Sequence, residues 1–451
     1  MVEKNRNARA IAFLILRDIE RKKAYPNEQL KMVLNESQMS EKDKSLCTLL
    51  VYGVIEKKLY LQYLIDRFSS VSEKKIETDV KNLLQLGIFQ IVFCDKIPDS
   101  AACNETVNLV RKYCKSKPVG FVNGILRSIA RKKDNLPIPD ECEDLFSYLS
   151  VKYSVSKDVA GILADSYGEA QTKLILQEFE KKPRLTIRVN TLKTTCEELK
   201  DNLLRYGVEV FEIDGISNAF QISHTGDLSK LPFFENGDFF VQDLSSQFAV
   251  LALEPSRGMK IIDLCAAPGG KSFFASVLMG GTGEVHSFDL HEHKIRKMKE
   301  DTARLGLEKI VSVSISDARE DRPSLYQSAD KVLLDAPCSG LGTLFKKPDI
   351  RYKTASDICL LPQIQIKMIF QAANYVKPGG DLLYSTCTLN KKENEDIVEA
   401  FLKENKNFAL FPFDFPELRA LHAEENNGFL TLFPNAETND GFFICKMRRY
   451  S

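Results

Sequence analysis

The 11 cysteines include no Cys-x-x-Cys pair, and their number is odd. That pattern argues against a zinc cluster and against a disulfide framework, and it fits reduced thiols in a cytoplasmic protein. No apolar run approaches the roughly 20 residues that a membrane-spanning helix needs, so no membrane segment is expected. A short apolar stretch at 11–16 is stopped by Arg17 and Asp18, too soon for a secretory signal. Glycine (23) and proline (17) are too few for a collagenous or low-complexity chain. No internal repeat or heptad array is visible, which sets aside solenoids and coiled coils. Tryptophan is absent altogether, but this gap excludes no fold class. With 451 residues the chain is long enough for two or three domains, each with its own core.

What is present centres on residues 260–272. A short apolar run at 261–264, broken by Asp263, is followed by Pro268-Gly269-Gly270 and then by an apolar, helix-like segment at 273–278. This reads as strand, tight turn and helix, the first unit of a parallel α/β sheet. Ligands of such sheets sit beyond the carboxyl ends of the strands, and Gly269 and Gly270 let backbone N–H groups approach one closely. The stretch departs from a P-loop, because Cys265 stands where the first glycine belongs, and no G-x-G-x-x-G fingerprint occurs. An ATPase using Asp335 as its metal-side acid is therefore the weaker reading. S-adenosylmethionine suits the following segments better. A second strand at 284–289 ends in Asp289, placed for a ribose diol, and a third at 310–315 precedes Asp317, placed for an adenine amino group. Each acid alone reads equally well as a helix cap, but three at successive strand ends favour a ligand.

Two further strands, at 331–334 and 381–384, lead into Asp335-Ala336-Pro337-Cys338-Ser339-Gly340 and Ser385-Thr386-Cys387-Thr388-Leu389. Most cysteines act as small buried hydrophobes. Cys338 and Cys387 instead sit in polar turns on the expected ligand face. A soft thiolate there suits attack on an electron-poor conjugated carbon such as C6 of cytosine, which makes C5 nucleophilic. Spacing alone leaves open which of the two attacks.

These three segments, DLCAAPGGKS, DAPCSG and YSTCTL, resemble the signature motifs of the RNA cytosine-5 methyltransferases. The resemblance implies that Cys387 attacks C6 and Cys338 helps release the methylated base. It also implies that Asp335 holds the cytosine edge. Cys265, Ala266, Ala267, Pro268, Gly269, Gly270, Lys271, Asp289, Asp317 and Asp335 then surround S-adenosylmethionine, with no metal. In DNA cytosine-5 methyltransferases the Pro-Cys cysteine, Cys338 here, is the nucleophile, so exchanged roles remain the internal alternative.

Net charge is zero overall but uneven: residues 1–140 carry 25 Lys and Arg against 17 Asp and Glu, leaving 37 against 45 in the remainder. A basic front third fits a polyanion partner, although a solvated face reads as well from charge alone. That third shows helical spacing throughout, at 8–19, 46–65, 80–93 and 105–113, with a further helix from 122. Residues 97–131 are similar to the RNA-binding antitermination factor NusB. Prolines at 137 and 139 mark a linker. Two helices at 158–167 and 169–179, a strand at 183–191, a helix at 196–206 and strands to 241 make a small platform, where Arg184, Arg188 and Lys193 suit phosphate. The loop 346–353, with Lys346, Lys347, Arg351, Lys353 and Tyr352, suits an RNA backbone and one stacked base.

The expected architecture is multidomain, α plus α/β. An all-α NusB-like bundle (1–135) is followed by a helical linker with a small α/β RNA-recognition-like subdomain (140–245) and a Rossmann-like methyltransferase sheet (246–451). Within the resembled family this domain order implies a cytoplasmic, monomeric enzyme that methylates one cytosine of 16S rRNA. Another RNA such as tRNA, or a non-enzymatic RNA-binding factor, are the alternatives.

Overall fold

The computed structural model describes residues 7–22, 26–420 and 427–451, and the chain divides into two compact units. The first comprises the residues up to Ala164 together with Lys347–Thr354. It is a helical bundle, as its periodicity predicts, with helices Ala8–Lys22, Pro26–Glu36, Glu41–Glu56, Lys58–Phe68, Thr78–Phe93, Asp99–Tyr113, Val119–Arg131 and Leu145–Lys152. Thr78–Phe93 is apolar on nearly every face and is buried accordingly, with Leu83, Leu84, Leu86, Ile88 and Ile91 fully enclosed. Gly53 permits the close approach of a neighbouring helix, because a Cβ there would lie 1.9 Å from the Phe89 ring. The single helix expected over 46–65 is broken at Lys57, whose backbone leaves the helical region (φ −103°, ψ 16°).

Within the segment 347–354, Arg351 and Tyr352 depart from the RNA-loop expectation, while Lys347 stays exposed. The Arg351 side chain is buried and donates from Nη1 to the Tyr153 carbonyl at 2.8 Å. The Tyr352 hydroxyl donates to the Ile55 carbonyl and accepts from the Lys58 amide at 3.2 Å, and burial pushes its pKa up. Both residues satisfy backbone groups inside the first unit, so neither is presented for base stacking or phosphate contact.

The second unit holds two sheets. The smaller is antiparallel, order β2-β3-β1-β4, built from β1 (Leu185–Val189), β2 (Glu209–Glu212), β3 (Ala219–Ser223) and β4 (Phe239–Val241), with helix Cys196–Arg205 packed on it. The helix Lys157–Glu178 is interrupted at Gly168 (φ 79°, ψ 165°), between the two helices expected from the sequence. The larger sheet is formed by β5 (Lys260–Asp263), β6 (Glu284–Asp289), β7 (Val311–Ile315), β8 (Ala329–Asp335), β9 (Val376–Thr386), β10 (Phe408–Leu410), β11 (Phe429–Leu432) and β12 (Phe442–Arg449). Its order is β10-β12-β9-β8-β5-β6-β7, with β11 on β12; β5 to β9 run parallel, and β10, β11 and β12 pair antiparallel. The chain starts in the middle at β5, builds outward through β6 and β7, then returns to the other side with β8 and β9. That reversal opens a crevice at the carboxyl ends of β5 and β8.

Two of the expected phosphate holders prove to be joints between the sheets. Arg188 is buried on β1, donates to the Ser217 carbonyl (2.8 Å) and Gln247 Oε1 (3.1 Å), and lies 4.0 Å over the Phe274 ring. Burial pushes its pKa down to about 10, consistent with a guanidinium removed from water. Lys193 donates to the Asn236 and Arg304 carbonyls at 2.6 and 2.8 Å. Arg184 stays exposed, stacked on Phe211.

Candidate active site

The acids expected at strand ends all lie at the carboxyl edge of the larger sheet. Asp263 ends β5, Asp289 ends β6, Asp317 follows β7, and Asp335 ends β8. The turn 264–270 is held to the sheet by backbone bonds from Leu264 to Leu333 (3.0 Å) and from Ala266 to Phe288 (2.8 Å). Gly269 has φ +112°, the left-handed region that a side chain strains, and a Cβ there would strike the Phe273 ring at 2.2 Å. The glycine thus closes the turn so that helix Gly270–Leu278 starts with its N–H groups facing the crevice side of the sheet. Asp289 is oriented by the amides of Ala267 (3.3 Å) and His291 (3.1 Å). Asp317 is gripped by Arg319 through its amide (2.9 Å) and guanidinium (2.5 Å), which holds the carboxyl below its ordinary range.

Beneath the turn, Asp263 is fully buried and accepts from Ser272 Oγ at 2.6 Å, while Ser287 donates to Ser272 at 2.8 Å. Burial pushes the Asp263 carboxyl up to about 7, and nearby Asp335 adds to the rise. The Cys265 thiol is likewise raised by burial, so it is a poor nucleophile. Against Gly270 lies Gln242, whose buried carboxamide nitrogen and oxygen have no protein partner. A cradle of helix-start amides, unpartnered polar atoms and a fixed carboxylate fits a polar nucleoside-type ligand.

Next to this cradle the two cysteines meet. Cys338 follows β8 and Cys387 follows β9, neighbouring parallel strands whose register pairs Asp335 with Ser385. Their sulfurs are 3.4 Å apart. The shared hydrogen bond with Cys387, then burial, then the charges of Glu393 and Asp335 push the Cys338 thiol well above its usual pKa. Asp335 accepts from Lys271 Nζ at 2.6 Å and from Ser385 Oγ at 2.8 Å. Lys271, expected with the cofactor, is thus tied to the acid expected on the base.

Sequence reasoning missed Glu393. It lies fully buried behind both cysteine turns, within the polar stretch Asn390–Glu395. Lys346 was expected on RNA; its Nζ instead bridges Asp243 (2.5 Å) and Asp440 (2.8 Å).

A family model described as 16S rRNA methyltransferase RsmB/F matches residues 250–448. The NusB family matches 6–131, and an RsmF/B-like ferredoxin-like domain matches 161–229. The chain is 35% identical to the "Probable ribosomal RNA small subunit methyltransferase B" of Bacillus subtilis (strain 168), over 99% of both chains. It is 29% identical to the "Ribosomal RNA small subunit methyltransferase B" of Klebsiella pneumoniae subsp. pneumoniae, again over 99% of both. A crystal structure described as PH0851 aligns over 99% of both chains with a TM-score of 0.79 and 26% identity.

Proposed function

The chain belongs to the RsmB/F family of 16S rRNA methyltransferases, and from that premise we propose that it methylates C5 of one cytosine in 16S rRNA, using S-adenosylmethionine. The observation that carries the chemistry is the 3.4 Å contact between Cys338 and Cys387 beside the Lys271–Asp335 pair. Two thiols in contact at the carboxyl end of a parallel sheet suit covalent addition to a flipped base better than they suit a binding role alone.

The cradle residues Cys265 to Gly270, with Asp289 and Asp317, would hold the cofactor, which supplies an electrophilic methyl group when bound, while Lys271 holds Asp335. Asp335, fixed from two sides, orients the amino and N3 edge of the cytosine. The Cys387 sulfur attacks C6, forming the S–C6 bond and turning C5 into a nucleophile. Cys338 keeps its proton, because the shared bond with Cys387, burial and the neighbouring carboxylates disfavour its thiolate. With the attack assigned to Cys387 by the motif resemblance, the Cys338 thiol 3.4 Å away is the proton carrier. Once C5 is methylated, water takes its proton, the S–C6 electron pair returns to the Cys387 sulfur, and the Cys338 thiol donates its proton to that leaving thiolate. The bundle 1–135 and the subdomain within 140–245 are the parts that grip RNA, 246–451 is the catalytic part, and the enzyme works as a cytoplasmic monomer.

Bisulfite sequencing of 16S rRNA from a strain lacking the protein, before and after adding the purified enzyme, tests the proposal. One cytosine regaining resistance supports it. Methylation confined to tRNA, or none with cofactor bound, contradicts it.

A further inference from the structure

Glu393 is fully buried, and its carboxylate is met by four neutral donors. Oε2 accepts from the Ser339 amide at 2.8 Å and from Gln365 Nε2 at 2.9 Å. Oε1 accepts from Ser339 Oγ at 2.5 Å and from Asn390 Nδ2 at 3.0 Å. Enclosing a carboxylate is expensive unless donors replace its water, and four of them do so here. Their places in the chain are informative. Ser339 directly follows Cys338, and Gln365 also donates to the carbonyl of Pro337, the residue before Cys338, at 3.0 Å. Asn390 is in the turn after Cys387, and Thr388, next to Cys387, meets Ser339 Oγ at 2.6 Å. One carboxylate therefore fastens both flanks of the Cys338 turn to the turn that carries Cys387.

We propose that Glu393 is a positioning residue for the methyl-transfer reaction: it holds the two cysteine turns in register, so that Cys338 can pass its proton to and from the Cys387 sulfur and the base. This rests on the cytosine-5 reading above. Glutamine at 393 keeps the shape, but its NH2 replaces one oxygen and meets the two donors that oxygen accepted from, so the clamp on the turns loosens. Ser339→Ala removes a single hydroxyl from the same cluster and leaves the Glu393 side chain in place, a milder change if Glu393→Gln folds poorly.

The full-length wild type and both variants are compared on 16S rRNA with S-adenosylmethionine. The expected result is kcat lowered roughly 10–100-fold, the loss that small misplacement of reacting groups produces, with KM for RNA and cofactor unchanged. A covalent protein–RNA adduct should build up, because release fails before attack does. Independently of RNA, oxidation by diamide, which takes up two hydrogens as the Cys338–Cys387 disulfide forms, should slow at least several-fold in the folded variants. If the wild type methylates through an adduct while both variants match it in kcat and in disulfide rate, Glu393 is not a positioning residue. If the wild type itself forms no adduct, the reading beneath the proposal falls instead, and slowed diamide oxidation would still show Glu393 setting the sulfur contact.

Discussion

Lys271, in the first turn of the helix that opens on the glycine turn, places its ammonium 2.6 Å from Asp335 at the end of β8. The lysine side chain is 11% exposed and the carboxylate 30%, so water screens this pair only in part. Lys271 also lies 5.2 Å from the Phe442 ring, which limits its freedom further. Lysine and acid form one unit, which fixes the carboxylate proposed to orient the base.

Lys271→Met should accordingly lower single-turnover methylation by about 100-fold, the scale of a misplaced catalytic group. Cofactor affinity should stay within about 3-fold, well under the factor of ten that 1.4 kcal/mol represents. Rapid-quench kinetics and calorimetry measure the two effects separately. Weaker cofactor binding with an unchanged single-turnover rate would move Lys271 back to the cofactor.

Asp289 and Asp317 should contribute unequally to cofactor binding. Asp289 is oriented by two backbone amides with the Lys294 ammonium no nearer than 3.8 Å, whereas Asp317 is already chelated by the Arg319 guanidinium. Asp289→Ala is expected to cost about 1.5–3 kcal/mol of cofactor binding, the usual loss of a hydrogen bond to a charged group. Asp317→Ala should cost less. Titration calorimetry giving Asp289→Ala wild-type affinity would remove Asp289 from the site.

Asp263 makes stability depend on pH in a defined direction. Burial raises its carboxyl from the ordinary 3.8 to about 7. Between those values the folded chain holds a proton that the unfolded chain has lost, so stability from this group is complete below about pH 4 and lost as pH rises through about 7. Asp263→Asn cannot ionise and can still accept from Ser272. The variant should therefore gain stability relative to wild type between about pH 5 and pH 8 in urea unfolding. A difference that stays constant over that range would contradict the assignment.

Much of the site was legible because strand-to-turn transitions carry local signals. Asp289, Asp335, Cys338 and Cys387 each follow a short apolar run and precede a turn, and Gly168 marks a helix break that any reader of backbone preferences would place there. What escaped was decided at long range. Arg351 and Tyr352 look like RNA-facing residues, yet they satisfy the carbonyls of Tyr153 and Ile55, some 200 to 300 positions earlier in the chain. Arg188 resembles a phosphate holder on an exposed strand until Phe274, from another sheet's helix, covers it. Glu393 has no local mark at all, because its role exists only once the turns of β8 and β9 are brought together. The edge strands β10 and β11 are too short to show a period.

The central claim is that Cys387 attacks the base and Cys338, 3.4 Å away and held as a thiol, assists its release. The two should therefore fail at different steps. Denaturing gel electrophoresis of each variant after incubation with 16S rRNA and S-adenosylmethionine separates them directly. Cys338→Ala should accumulate a methylated protein–RNA adduct, and Cys387→Ala should show none; an adduct from Cys387→Ala with none from Cys338→Ala would exchange their roles.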